Sequence, residues 1–314
     1  MRAMIFRTYG GPEVLELAEL PRPVPGPEQI LIRVHKSSIN PVDWKRASGK
    51  LRLLMPVQLP SVPGFDVAGE VVEVGPGVTT FAPGARVHAR LLGVGGAAAE
   101  LTLAGLDVTA PMPAGMDMAT AAGLPLAGMT ALQGLRDRAG VPMQGARERI
   151  LIVGASGGVG HLAVQLAVAA GATVVGVCST RNVELVKGLG AHEVIDYTRP
   201  DPYAGQAPFD VIFDCVGGSP GPWLVRLKAG GRFVSAMPGP QVFLRSALNP
   251  LAGKKVRAVM LKPNAADLRA LDALYEAGKL RVVVDQSFPL TELRAAWERS
   301  QSGRATGKIL VDVL

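Results

Sequence analysis

Cysteine is nearly missing from this chain: Cys178 and Cys215 are the only two in 314 residues. Two thiols build no disulfide framework. Each ends an apolar run expected to be a buried strand, which fits a reducing compartment and a small buried filler, with a reactive thiol as the lesser reading. Aromatic residues are scarce too, at 5%. No basic run interleaves with them, so the net charge of +7 does not mark a nucleic-acid surface. Lysines and arginines are scattered, with only short pairs such as Lys254-Lys255. The most apolar segments are interrupted by glycine, so no membrane span is expected and the default setting is cytoplasmic.

Helical and strand patterning is abundant. The length of 314 residues exceeds what one core usually supports, which predicts two domains. Short apolar runs at 3–6, 14–17, 30–34, 67–74 and 85–88 alternate with turns. Pro21, Pro23, Pro25 and Pro27 bar their stretch from a central strand, and Gly75-Pro76-Gly77 and Pro83-Gly84 mark turns. From about residue 119 buried strands are expected at 150–153, 173–177, 193–195, 211–215, 232–236 and 256–261, most of them separated by helices, as a parallel doubly wound sheet requires. A helix over 265–277 then leads to apolar runs at 282–284 and 308–311, which have no crossover partner left and return to the first domain. The expected class is α/β, with a β domain of residues 1–119 and 265–314 and an inserted doubly wound domain of residues 120–264.

The run Leu151-Ile152-Val153-Gly154-Ala155-Ser156-Gly157-Gly158-Val159-Gly160 passes from a buried strand through a glycine turn into a helix. Missing side chains at Gly157, Gly158 and Gly160 let backbone approach a pyrophosphate, and the helix start supplies N–H donors, so Ser156 to Gly160 are expected to bind a dinucleotide. The strand at 173–177 completes the βαβ unit. At its end an NAD site usually carries Asp or Glu for the ribose hydroxyls, whereas this chain has Cys178-Ser179-Thr180-Arg181-Asn182. Without a carboxylate there, Ser179 and the planar fork of Arg181 suit a 2′-phosphate, which predicts NADPH over NADH. The plainer reading of Arg181, a solvated charge, sets a cation against the helix dipole.

Five ordered segments carry a family resemblance: Ser38-Ile39-Asn40-Pro41-Val42-Asp43-Trp44-Lys45, Pro63 to Val71, Leu124 to Ala131, Ala155 to Gly160, and Ala305-Thr306-Gly307-Lys308-Ile309. With them the chain resembles the zinc-free quinone oxidoreductase and alkenal reductase branch of the medium-chain dehydrogenase/reductase superfamily. That resemblance implies a GroES-like β catalytic domain with an inserted Rossmann domain. It also implies Tyr197, in Ile195-Asp196-Tyr197, beside the adenosine phosphate, and Thr130 near the nicotinamide. Zinc-dependent relatives carry a Cys ligand where Asn40 stands and a His ligand where Phe65 stands. An amide is a poor zinc ligand and a phenyl ring is none, so no metal is expected. His35, His88, His161 and His192 are too dispersed to replace either zinc site and read as structural.

Without a Lewis acid the substrate must be the better electrophile, a quinone or an α,β-unsaturated carbonyl, whose product anion is delocalised. Asn40 is the first candidate donor to the carbonyl oxygen, with a cap of the turn before Pro41 as the competing reading. Lys45 stands where zinc relatives have a proton-relay His and could deliver the proton, or could pair with Asp43 or solvent. Tyr9 reads as a turn-packing residue more than a substrate contact. The last Rossmann strand, with an apolar edge, is expected to pair in a homodimer. The alternative to an enzyme is an NADPH-binding redox-responsive or nucleic-acid-associated protein with little turnover.

Overall fold

The computed structural model describes residues 1–53, 55–93, 95–249 and 253–314. The chain divides into two compact units, the first of residues 1–127, 263–276 and 282–314, the second of residues 128–262 and 277–281.

In the first unit β1 (Arg2–Phe6) and β2 (Leu15–Glu19) form an antiparallel ribbon. The main sheet takes β3 (Gln29–Ile39), β4 (Asp66–Val74), β5 (Arg86–Arg90), β6 (Leu101–Gly105) and β7 (Thr109–Pro111) from the N-terminal part. Strand β3 is the spine, pairing with β4 and β6, and its ladder with β4 is interrupted at two register shifts that bend the sheet. Helix α1 (Pro41–Ala47) follows β3 directly, and α2 (Met118–Gly123) packs on β3 and β4. That packing carries the first unit past residue 119, where the sequence pattern had placed its end.

The second unit begins within helix α3 (Pro125–Gln133), and its strands are β8 (Arg149–Val153), β9 (Thr173–Cys178), β10 (Glu193–Asp196), β11 (Phe209–Asp214), β12 (Leu227–Ser235) and β13 (Lys255–Ala258). They form one parallel sheet in the order β10-β9-β8-β11-β12-β13, with the order reversing between β8 and β11. Helices α4 (Gly160–Ala170), α5 (Val183–Gly188), α6 (Gly221–Leu224) and α7 (Pro240–Ala247) lie in the crossovers, except that from β10 to β11, which is made of turns. Its core, including Leu151, Val175, Ile212 and Phe233, is formed by the apolar strand runs themselves. The strand expected at 256–261 stops at Ala258 because the chain is then drawn to α3: the Lys262 N–H donates to Gln133 Oε1 and Gln133 Nε2 donates to Lys262 O.

Helix α8 (Ala265–Glu276) returns the chain to the first unit, and residues 277–281 are held to the second by Gln165, whose side chain bonds both the N–H and the carbonyl of Arg281. The remaining elements are β14 (Val284–Pro289), α9 (Leu293–Gln301) and β15 (Lys308–Asp312). Strand β15 pairs antiparallel with β3, and β14 pairs parallel with β15 at the sheet edge. Trp297 of α9 seals the core that Ile30, Ile32, Val67 and Val87 line. Among the described residues no helix is long and apolar enough to cross a membrane.

Candidate functional site

In the second unit the glycine turn joins β8 to α4. A Cβ on Gly160 would lie 2.0 Å from the Gly154 carbonyl oxygen, so only glycine permits the close strand-to-helix approach. The His161 N–H bonds the Gly157 carbonyl, and Gly157, Gly158 and Val159 are half-buried at the amino end of an eleven-residue helix. First-turn N–H groups at such an end are anion donors, and the side-chain-free backbone fits a pyrophosphate.

Strands β9 and β10 end beside each other, with Cys178 paired to Asp196. Ser179 starts a 3-10 turn, Thr180–Asn182, that displays Arg181 at the surface. Tyr197, 58% exposed, follows β10, and its N–H donates to Cys178 O. The structure thus brings Ser179, Arg181 and Tyr197 together at the carboxyl ends of two adjacent strands. Two bonds fix the turn: Asn182 Nδ2 donates to Ser156 Oγ at 2.9 Å and Thr180 Oγ1 donates to Asp196 Oδ2 at 2.7 Å. Asp196, in the segment Ile195-Asp196-Tyr197, is a carboxylate to which the sequence assigns no role, because its partner Thr180 belongs to the preceding strand end. Its hydrogen bonds from Thr180 and Thr198, foremost, hold it at about 2. Asp214, also overlooked, ends β11 buried and accepts from the Val216 and Gly217 N–H groups. Thr130 is buried in α3.

In the first unit the junction of β3 and α1 buries a polar network. Asn40, 2% exposed, accepts from Lys308 Nζ at Oδ1 (2.6 Å) and donates from Nδ2 to Asp66 Oδ2 (2.8 Å). Ser38 Oγ donates to the same Asp66 oxygen, and the Leu126 N–H donates to Asp66 Oδ1. The Asn40 N–H donates to Asp43 Oδ2 at 2.6 Å, one half of a capping box at the start of α1. The expectation that the Asn40 amide aims at a substrate carbonyl is therefore corrected: both ends of the amide are committed inside the protein, and Asn40 positions the β3–α1 junction. Burial pushes the Asp43 carboxyl up to about 7, opposed by the Asn40 N–H and reinforced by Asp66. Burial likewise lowers Lys308, with Asp66 and Asp43 opposing. Phe65, buried, has the Arg90 and Arg46 guanidiniums 4.5 and 5.5 Å from its ring centroid.

Lys45 is half-buried on α1 and lies 5.5 Å from the Trp44 ring centroid. The Asp43 pair allowed by the sequence does not form among the described residues. Burial, then Lys50, lowers the Lys45 ammonium. Tyr9 packs against Gly49 and accepts from the Val57 N–H at 3.4 Å. Both cysteines are free, and burial pushes Cys178 up to about 11 and Cys215 well above the usual thiol range, so neither is a ready thiolate. The four histidines are held in separate places: His88 between Ala121 O and Asp272, His161 at Gly157 O, His192 at the Val174 N–H, and His35 facing Glu70. Among the described residues no three His, Cys, Asp or Glu are placed to hold a metal ion, and neither the committed amide of Asn40 nor the ring of Phe65 offers a ligand.

A GroES-like sheet joined to a doubly wound sheet with a dinucleotide turn defines a class of oxidoreductases that bind a nicotinamide dinucleotide. Two family models match this chain, the alcohol dehydrogenase GroES-like domain over residues 26–118 and the zinc-binding dehydrogenase over residues 189–311. The chloroplast envelope quinone oxidoreductase homolog of Arabidopsis thaliana is 39% identical, over 99% of this chain and 98% of its own. The chloroplastic NADPH-dependent alkenal/one oxidoreductase of the same plant is 35% identical, over 99% of this chain and 79% of its own. The quinone oxidoreductase structure from Coxiella burnetii superposes with a TM-score of 0.90 at 33% identity, covering 100% of this chain and 99% of its own. The chain belongs to the medium-chain dehydrogenase/reductase superfamily, in the branch of quinone oxidoreductases and alkenal reductases. The cytoplasmic expectation is corrected by these relatives, two of which are named for the chloroplast. Scarce cysteine separates reducing from oxidising surroundings, and it does not tell one reducing compartment from another.

Proposed function

We propose that this protein is an NADPH-dependent, zinc-independent reductase of quinones and of the C=C bond of α,β-unsaturated carbonyls. The observation that carries the reading is the Asn40 network: where zinc relatives place metal ligands, this chain has a buried amide bridging Lys308 and Asp66 and a phenylalanine flanked by two arginines. A substrate at such a site receives no Lewis-acid activation and must carry its own delocalisation. The relatives' names, quinone oxidoreductase and NADPH-dependent alkenal/one oxidoreductase, support the same substrate class.

The bound reduced nicotinamide supplies the hydride. Ser156, Gly157, Gly158, Val159 and Gly160 hold the pyrophosphate, Ser179, Arg181 and Tyr197 hold the adenosine phosphate, and Thr130 serves the nicotinamide side. Asn40 keeps α1 in place, and Lys45, its ammonium lowered by burial, delivers the proton that the enolate or hydroquinone anion takes up. The place of β13 at the end of the sheet and the exposed Met260 just beyond it support a homodimer, with Asn249 covering the edge at Val256 within the protomer. A protomer mass by light scattering at working concentration would remove the dimer. Deuterium from NADPD should appear at the β-carbon of an enone product, with saturated ketones and secondary alcohols nearly untouched. Label on a carbinol carbon, or alcohols oxidised as fast as enones are reduced, would overturn the substrate reading.

A further inference from the structure

The carboxylate of Asp196 ends β10 next to the turn assigned to the adenosine phosphate, where a negative charge ought to oppose an anionic ligand. Its surroundings say what it does instead. Oδ2 accepts from Thr180 Oγ1 at 2.7 Å, and Oδ1 accepts from the Thr198 hydroxyl at 2.7 Å and the Thr198 N–H at 3.0 Å. Arg199 Nε lies 3.4 Å from Oδ2, and its N–H donates to the Asp196 carbonyl at 3.3 Å. The two threonine hydroxyls are themselves 2.9 Å apart. Asp196 is 8% exposed, whereas the Arg199 side chain is 75% exposed. A buried carboxylate thus accepts from three donors and pairs with the exposed Arg199, while Arg181 stands at the surface on the adjacent turn.

We propose that Asp196 is a positioning residue for cofactor discrimination: it anchors the Ser179–Asn182 turn through Thr180 and holds Arg199 at the same strand end, so that Ser179, Arg181 and Arg199 together take the 2′-phosphate of the adenosine ribose. The inference rests on the NADPH reading above and deepens it by adding a second arginine and the residue that places the turn. Rigid placement is the physical gain. A fork that meets a phosphate preorganised gives up less side-chain entropy than one that must be ordered on binding. The opposite anchor, Asn182 on Ser156, ties the same turn to the glycine loop, so the 2′-phosphate end and the pyrophosphate end share one hydrogen-bonded frame.

The test is calorimetric binding of 2′,5′-ADP and of 5′-AMP to the full chain, which reads the phosphate preference apart from turnover. Asp196→Asn keeps the shape and removes the charge, whereas Thr180→Val keeps the charge and removes the anchor. Both should weaken 2′,5′-ADP about tenfold while leaving 5′-AMP within about twofold, and Arg199→Gln should do the same. The double variant Asp196→Asn/Thr180→Val should lose no more than Asp196→Asn alone, because Thr180 acts on the turn through Asp196. A gain in 2′,5′-ADP affinity for Asp196→Asn would show that the carboxylate only repels the ligand, and an equal loss of both nucleotides would show general damage to the unit. Either result, or an unchanged ratio for Thr180→Val, overturns the proposal. If the unmodified protein itself binds the two nucleotides equally, the NADPH reading falls first. If it discriminates and the variants keep the ratio, this inference alone fails.

Discussion

Around Asn40 the first unit buries two carboxylates and a lysine and satisfies them largely with one another, while the glycine turn of the second unit builds its site from backbone and glycines. The first arrangement is closed, its hydrogen-bond capacity directed inward across four chain segments. The second is open, with the amino end of α4 directing its donors outward. One unit therefore shapes its site by internal charge compensation and the other by leaving side chains out, so the two should fail differently when altered. Loss of one partner is costly in the first, and addition of one methyl is costly in the second.

The largest effect is expected from Lys308→Met. It leaves Asp66 buried at 0% exposure with its cation gone and the Asn40 carbonyl without its donor. Removing one member of a buried pair costs about 3–5 kcal/mol, so the urea midpoint should fall steeply. Adding Asp66→Asn should recover part of that loss, since the orphaned charge rather than the missing contact is the main penalty. A Lys308→Met protein as stable as the parent would show that the network carries no strong charge compensation, and the contrast between the units would collapse.

Next comes Gly160→Ala. The new Cβ meets the Gly154 carbonyl oxygen at 2.0 Å, backbone that cannot step aside, and about 1–3 kcal/mol of stability should go with most of the NADPH affinity. Gly157→Ala is the control: its Cβ would stand 3.4 Å from the same oxygen, an ordinary contact. Similar unfolding midpoints for the two variants would mean that the turn yields where the structure shows it cannot.

The same contrast explains what could be read in advance. The glycine turn and the strands around it were legible because their causes are local: apolar runs buried on both faces, and glycine where backbone meets backbone. Strand β14 was legible only at its start, since Val284–Pro289 is a polar edge strand stitched by Asp285 to Arg299 and Ser287 to Asp312 rather than by alternating burial. Asn40 was singled out, yet its role was misjudged, because its partners lie 26 and 268 residues away in sequence. Lys308 lies in the segment Ala305-Thr306-Gly307-Lys308-Ile309, which by itself assigns it no role. A lysine opening the apolar run Lys-Ile-Leu-Val was the signal available. Asp196 escaped for the same reason as Lys308, its partner Thr180 belonging to the preceding strand end.

The smallest effect, and the one that most sharpens the comparison, concerns pH. Burial first, then Asp66, pushes the native Asp43 carboxyl up to about 7 from 3.8, against the Asn40 N–H, Lys308 and Arg90. Arg46 also faces it from the next turn of α1 and lines a small cavity with it. Between about pH 4 and 7 the native state therefore holds a proton that the unfolded chain has released, so this group's contribution to stability falls as pH rises through that window and stays low above it. Asp43→Asn imitates the protonated acid, can still accept the Asn40 N–H, and should remove the slope. The variant should match the parent near pH 4.5 and exceed it by about 1 kcal/mol or more at pH 8 in urea unfolding. A difference that stays flat from pH 4.5 to 8, or that favours the parent at high pH, would mean that Asp43 is ionised throughout and that Lys308 and the two arginines compensate both carboxylates.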